Sequence, residues 1–355
     1  MNPYDNYIDR LRTAGTLSRE EFADLIENRD KTDIDALQKT AVDIRRSIYG
    51  DEVYIRGLIE FSSCCRNDCL YCGLRRSNSN AERYRLTSEE ILEAASYGHE
   101  IGFRTFVLQG GEDPYYTADR IAKIVSSIKE NFPDSAVTLS IGERNYEEYK
   151  LWKDAGCDRY LLRHETADGE HYAKLHPEEM SLENRKKCLY ELKSLGYQVG
   201  CGFMVGSPYQ TAQTLAEDML FIKDLKPEMV GIGPFIPHHD TPFKDEPAGN
   251  VDLTIFMLSL IRIMLPEVLL PATTALGTLD PLGREKGLKA GANVLMPNLS
   301  PLSVRKKYLL YDNKICLGEE GAECLACLGK RVENAGFVTV MTRGDHIKYT
   351  TKENR

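Results

Sequence analysis

No stretch of this 355-residue chain approaches the ~20 consecutive apolar residues that a bilayer span needs. The longest candidate, residues 255–265, is interrupted by Arg262 and stopped by Pro266. The opening residues contain no basic segment followed by an apolar one, so no secretory signal is expected, and a cytoplasmic location is. Positive charge is in deficit too: 45 Lys and Arg against 54 Asp and Glu leave a net charge of −9. That disfavours nucleic acid as the main partner, because binding phosphates needs a basic surface. Low-complexity tracts and long linkers are missing. What remains is a globular composition, 42% hydrophobic and 28% charged, long enough for one large barrel or two ordinary domains.

The unusual feature is the ten cysteines. In a chain of this size without a secretory signal, that number points to metal or redox chemistry in a reducing compartment rather than to disulfides. Cys64, Cys65, Cys69 and Cys72 form one group, and Cys316, Cys324 and Cys327 another. Cys157, Cys188 and Cys201 are scattered among apolar neighbours and read as core fillers.

The hydrophobic pattern predicts the fold. The first 50 residues read as helices, with a capping box at Ser18-Arg-Glu-Glu21 and a hydrophobic staple from Leu17 and Phe22. A second capping box is Thr87-Ser-Glu-Glu90. Helices then end repeatedly at a glycine followed by an apolar strand, at Gly102, Gly156, Gly196 and Gly291, where glycine suits the left-handed position after a helix. Strands are expected at 53–60, 104–109, 136–141, 158–163, 197–204, 229–235, 269–274 and 292–296. Most are short continuous apolar runs, as in parallel strands buried on both faces. Asp280-Pro281 reads as a helix start. Eight strands alternating with helices predict an α/β fold, a closed (β/α)8 TIM-type barrel over 51–300. A helical extension (1–50) precedes it and a cysteine-containing segment (301–355) follows.

Cys65-x3-Cys69-x2-Cys72 follows the first strand directly, and in such a barrel that loop opens on the C-terminal face, where the chemistry sits. Three thiolates within eight residues can wrap one small object. An iron–sulfur cube takes four ligands, so three cysteines leave one iron open to a substrate. Structural zinc is the alternative, but it usually takes four protein ligands, and Cys64 is badly placed beside Cys65 to be the fourth. Strand two ends in Gln109-Gly110-Gly111-Glu112, where paired glycines let a ligand approach the backbone. Strand four ends in Arg163-His164-Glu165, and alternation puts Arg163 and Glu165 toward the mouth and His164 on the other face. His238, His239 and Asp240 sit in a Pro-rich loop and read as ordinary polar loop residues.

The cysteine spacing, with Tyr71 just before the last cysteine, resembles the radical S-adenosylmethionine (SAM) superfamily. The resemblance implies a [4Fe–4S] cluster on Cys65, Cys69 and Cys72 whose open iron chelates SAM, and one-electron cleavage that releases a 5′-deoxyadenosyl radical. It places Tyr71, Gly110, Gly111, Glu112, Glu165, Arg185, Met204, Met296 and Tyr308 near the cofactor. Arg56, Gln109, Thr138, Ser140, Arg163, Thr273 and Thr274 are then expected around the substrate. Within the superfamily the chain resembles the [FeFe]-hydrogenase maturases of the HydE family. The passages concerned are Arg56-Gly-Leu-Ile-Glu-Phe-Ser, Leu-Leu-Arg163-His-Glu-Thr, Gly-Pro-Phe-Ile-Pro-His238 and the set Cys316-x7-Cys324-x2-Cys327. That set could hold a second iron–sulfur cluster, a zinc ion or nothing essential. The resemblance implies a small, sulfur-containing iron carbonyl cyanide substrate, other hydrogenase maturases as partners, and an electron donor such as flavodoxin or ferredoxin. Methylornithine synthase and biotin synthase are the neighbouring alternatives, and a non-catalytic iron–sulfur carrier is the alternative from another class.

Overall fold

A computed structural model describes residues 3–318 and 325–350. Helices α1 (Pro3–Ala14), α2 (Arg19–Glu27) and α3 (Ile34–Tyr49) come first. The expected capping box at Ser18 is formed, and Leu17 and Phe22 are buried beside it. The first barrel strand is divided at Arg56 into β1 (Glu52–Ile55) and β2 (Gly57–Ser62). Then follow α4 (Ser88–Glu100), β3 (Thr105–Gly110), α5 (Ala118–Asn131), β4 (Ala136–Ser140), α6 (Tyr146–Asp154) and β5 (Arg159–Leu161). After these come α7 (Gly169–Leu175), α8 (Leu182–Ser194), β6 (Gln198–Cys201), β7 (Met204–Val205), α9 (Ala212–Leu225), β8 (Met229–Val230) and β9 (Gly233–Pro234). The chain continues through α10 (Val251–Met264), α11 (Thr274–Leu279), α12 (Gly283–Lys289), β10 (Val294–Leu295), α13 (Leu302–Arg305), α14 (Leu325–Asn334) and β11 (Val338–Val340).

Parallel pairing runs in the order β2-β3-β4-β5-β6-β8. It continues through single bridges, Met229 to Leu269 and Pro271 to Val294, and returns to the start where Leu58 meets Asn298. The wall therefore closes on itself, as the strand count predicts. The four junction glycines all have positive φ, from 77° to 105°. Two expectations fail. Residues 269–274 join the wall only through the bridges at Leu269 and Pro271, and Thr274 already opens α11. Asp280 does not start a helix; it ends α11, its carboxylate accepts the Leu282 N–H, and α12 begins only at Gly283.

The long apolar run of the sequence is α10, buried from Thr254 through Met264. It packs against α1 and α3, so all its faces are covered, and no described helix is long and apolar enough to cross a membrane. Each buried Leu, Ile, Phe or Met side chain of this run contributes roughly 1.5–3 kcal/mol by leaving water. Arg262 is tolerated inside it because Gly291 O, Pro266 O and Asn293 Oδ1 accept its hydrogen bonds, although burial pushes its pKa down to about 9.

The floor of the barrel is polar, and the C-terminal segment builds it. β11 pairs with β1. Just beyond it Asp345 receives the guanidinium of fully buried Arg159 and the Gln198 amide. Thr105 donates to Arg343 O, and Arg343 itself pairs with Asp158. The cavity above this layer is thus shut from below.

Candidate active site

Hydrogen bonds from the chain itself hold the cysteine loop in place. Arg83 donates to four backbone oxygens, those of Ser63, Leu74, Arg75 and Asn78, at 2.6 to 3.0 Å. Asp68 accepts both arms of Arg75 at 2.8 Å and the Ser77 N–H. The Gly73 N–H donates to Leu310 O, and the Arg66 N–H to Glu112 O. Gly111 lies so close beneath that a Cβ there would stand 2.2 Å from Cys64 O and 2.7 Å from Cys65 Cβ.

Cys65, Cys69 and Cys72 are free thiols. Burial pushes all three above the usual thiol range, Cys72 to about 12, and each is raised further by a neighbouring carboxylate or cysteine. Desolvated sulfurs that destabilise one another's ionised form are what a positively charged iron cluster would relieve. Among the described residues only His238, His239 and Asp312 bring three ligand atoms within 4.8 Å of one another. The cysteine sulfurs are spread wider, as suits a cluster rather than a single ion. Cys64 turns away toward Tyr84 O. The donor set therefore fits an iron–sulfur cube with three protein ligands.

Cys72 borders a cavity of about 350 Å³ inside the barrel. Around it the structure brings together Tyr71, Gln109, Gly110, Ser140, Arg163, Glu165, Arg185, Met204, Thr273, Thr274, Met296 and Tyr308. A larger open hollow of about 890 Å³ lies outside the wall, near Tyr146 and Lys187, and holds no cysteine of the loop. Tyr71 donates to His176 Nε2 at 3.2 Å; burial pushes His176 down to about 3, and its Nδ1–H is used on Tyr172 O, so Nε2 is the acceptor. Arg185 pairs with Glu143 at 2.6 Å. Arg163 stands 3.2 Å from Glu165 but out of line for a hydrogen bond, leaving Arg163 Nε and Nη2 and Glu165 Oε2 buried without one. The Thr273 hydroxyl is likewise buried without a partner. Buried polar groups are normally satisfied, so this cluster describes a wall prepared for a polar ligand.

Four expected residues do not reach the cavity. Arg56 lies in the floor layer, its guanidinium on Met229 Sδ and Gly344 O, pushed down to about 9 by burial and then by Arg159. Thr138 is in register with Arg159, two residues below Ser140. Gly111 supports the cysteine loop, and the Glu112 carboxylate accepts Glu143 N–H at 2.8 Å and pairs with Arg66. Conversely, Glu60, Arg284, Tyr311 and Lys314 line the cavity without having been singled out. Lys314 binds Glu60 at 2.5 Å, both buried, and Asn298 Nδ2 donates to the other carboxylate oxygen at 2.9 Å. Residues 308–314 thereby form a strap across the mouth, joined to the 237–240 loop where Asp312 accepts from His239.

In the second cysteine group, Cys316 has a φ of 63° and lies 3.4 Å from the Arg284 guanidinium. Cys327, exposed on α14, is disulfide-bonded, against the expectation that the cysteines avoid disulfides, and Cys324 lies outside the described residues.

The profile of the radical SAM superfamily matches residues 59–222. The chain is 51% identical over 319 residues to the [FeFe] hydrogenase maturase subunit HydE of Thermotoga maritima, covering 90% of this chain and 91% of the relative. It is 28% identical over 342 residues to 3-methylornithine synthase of Methanosarcina barkeri, covering 95% and 94%. The crystal structure of methylornithine synthase superposes with a TM-score of 0.79 at 25% identity, covering 94% of this chain and 97% of that one.

Proposed function

The chain belongs to the HydE family of [FeFe]-hydrogenase maturases within the radical SAM superfamily, and from that premise we propose that Cys65, Cys69 and Cys72 hold its [4Fe–4S] cluster and that the adjoining cavity takes SAM and a small anionic substrate. Family membership implies the cluster and SAM, and makes the protein an enzyme of hydrogenase maturation. The observation that carries the site assignment is the three-cysteine loop with Cys72 on the wall of a cavity that also holds buried polar groups lacking partners.

When bound, cluster and SAM together supply a 5′-deoxyadenosyl radical from reductive cleavage. The chain's own residues do the rest. Tyr71, Gly110, Glu165, Arg185 and Met204, beside Cys72, hold SAM, while Gly111 and Glu112 act from behind by fixing the loop. Gln109, Ser140, Arg163, Thr273 and Thr274 grip the substrate, and Met296 and Tyr308 on the same cavity wall serve the cofactor. The strap keeps water from a reactive primary radical. The substrate is a sulfur-containing iron carbonyl cyanide complex delivered by another maturase, and the electron comes from a flavodoxin or ferredoxin in the cytoplasm. Once the disulfide at Cys327 is reduced, Cys316, Cys324 and Cys327 offer three thiolates for an accessory second cluster. The test is genetic: an anaerobic host lacking HydE should regain [FeFe]-hydrogenase activity with this gene, whereas hosts lacking methylornithine synthase or biotin synthase should gain nothing. Restored biotin or methylornithine synthesis instead would overturn the proposed substrate.

A further inference from the structure

Among the described residues lining the cavity, Glu165 is the only non-glycine with a left-handed backbone, at a φ of 65°. Such a conformation persists only where the surroundings over-determine it. Here they do so from outside the barrel wall. Asp218, fully buried on α9, accepts the Ala167 N–H at Oδ1 (2.6 Å), and the same oxygen lies 3.2 Å from His164 Nε2. His164 is fully buried too, flanked by Phe203 and Phe221, and its Nδ1 accepts the Gly202 N–H at 3.2 Å. An amide N–H can only donate, so Nδ1 is bare, Nε2 carries the proton and the ring donates to Asp218. Glu165 closes the frame, its N–H donating to Gly202 O (3.0 Å) and its carbonyl accepting the Met204 N–H (3.3 Å). On the far side Lys186 Nζ holds Ala167 O at 2.9 Å. Asp218 Oδ1 thus anchors the chain immediately before and shortly after Glu165, while Asp218 Oδ2 has no hydrogen-bond partner.

We infer that Asp218 and His164 are positioning residues for the reaction, holding Glu165 in its left-handed conformation so that its carboxylate is fixed at the SAM end of the cavity. The inference rests on the reading that Glu165 contacts SAM. It also explains why α9 carries a buried acid where an apolar residue would pack with less cost. Only one acceptor oxygen is used, so Asn can replace Asp218, keeping Oδ1 and placing an amide where Oδ2 stands alone.

The test uses the anaerobically reconstituted holoprotein. Iron content reports the cluster, and the change that SAM produces in the electron paramagnetic resonance signal of the reduced cluster reports SAM affinity. Glu165→Gln and Asp218→Ala should each weaken SAM binding about tenfold or more, the equivalent of about 1.4 kcal/mol, with iron content unchanged. Asp218→Asn should bind as the parent does. His164→Phe, which keeps ring volume and loses both hydrogen bonds, should behave like Asp218→Ala and covers the case in which the alanine variant fails to fold. In the Glu165→Gln background, Asp218→Ala should cost no more than about twofold further, because residues acting through one another are not additive. Unchanged affinity in Glu165→Gln overturns both the SAM contact and the inference. Weakened binding in Glu165→Gln alongside parental binding in His164→Phe and Asp218→Ala, or fully additive losses, overturns the positioning role alone.

Discussion

Replacing Lys314 with Met removes the cation that ties the strap to the barrel. In the intact protein Lys314 Nζ lies 2.5 Å from Glu60 Oε1, with side-chain exposures of 6% and 1%, and also donates to Tyr308 O at 2.9 Å. Methionine keeps most of the stem, so the loss is electrostatic rather than steric. Glu60 is left as a buried carboxylate with only Asn298 Nδ2 on its side chain. Removing one partner of a buried pair costs about 3–5 kcal/mol, most of it from the stranded charge. For a chain of this size that corresponds to a fall in melting temperature of about 4–7 °C. The same reasoning sets the control. Glu60→Gln combined with Lys314→Met removes the stranded charge and should recover a large part of the loss, since the cost comes from the missing partner and not from the pair's net attraction. The assay is urea unfolding of the anaerobic protein, single and double variants side by side. A loss under about 1 kcal/mol in the single variant, or a double variant no more stable than the single, would refute the claim that the pair is a buried bolt.

Gly111→Ala should displace the cysteine loop, because its Cβ has nowhere to go between Cys64 O and Cys65 Cβ, and iron bound per chain should fall sharply while the fold survives. Burial holds His346 at about 4 against 6.5 for the free side chain, so between these pH values the unfolded chain binds a proton that the folded one does not. Stability present above pH 6.5 is therefore lost as pH falls toward 4, by up to ~1.4 kcal/mol per pH unit from this group; His346→Gln should flatten that part of a stability–pH curve. Replacing Cys316 and Cys327 with Ser should leave SAM cleavage largely intact, since neither lines the cavity, and a measured loss of cleavage with the first cluster intact would contradict the accessory assignment.

What the sequence displayed and what it concealed divide along physical lines. The three-cysteine loop is legible because its cysteines fall within eight residues, and the junction glycines because the end of a helix imposes a local, left-handed requirement. Alternation correctly sorted Arg163 and Glu165 from His164, since it reports which face a strand residue takes. It does not report depth along the barrel axis. Arg56 and Thr138, which the family resemblance places around the substrate, belong to layers beneath the cavity. Glu60 and Lys314 escaped because they are 254 residues apart, and each alone looks like an ordinary charged residue. The same non-locality hid β11, a three-residue run whose partner β1 lies near the other end of the chain.

The most direct test of the central claim is SAM cleavage by the anaerobically reconstituted and reduced protein, with 5′-deoxyadenosine as the readout. The parent protein should produce it, Cys69→Ser should produce none, and Cys64→Ser, whose sulfur faces Tyr84 O, should cleave as the parent does. Normal cleavage by Cys69→Ser, or its loss in Cys64→Ser, would contradict the assignment of Cys65, Cys69 and Cys72 as the three ligands.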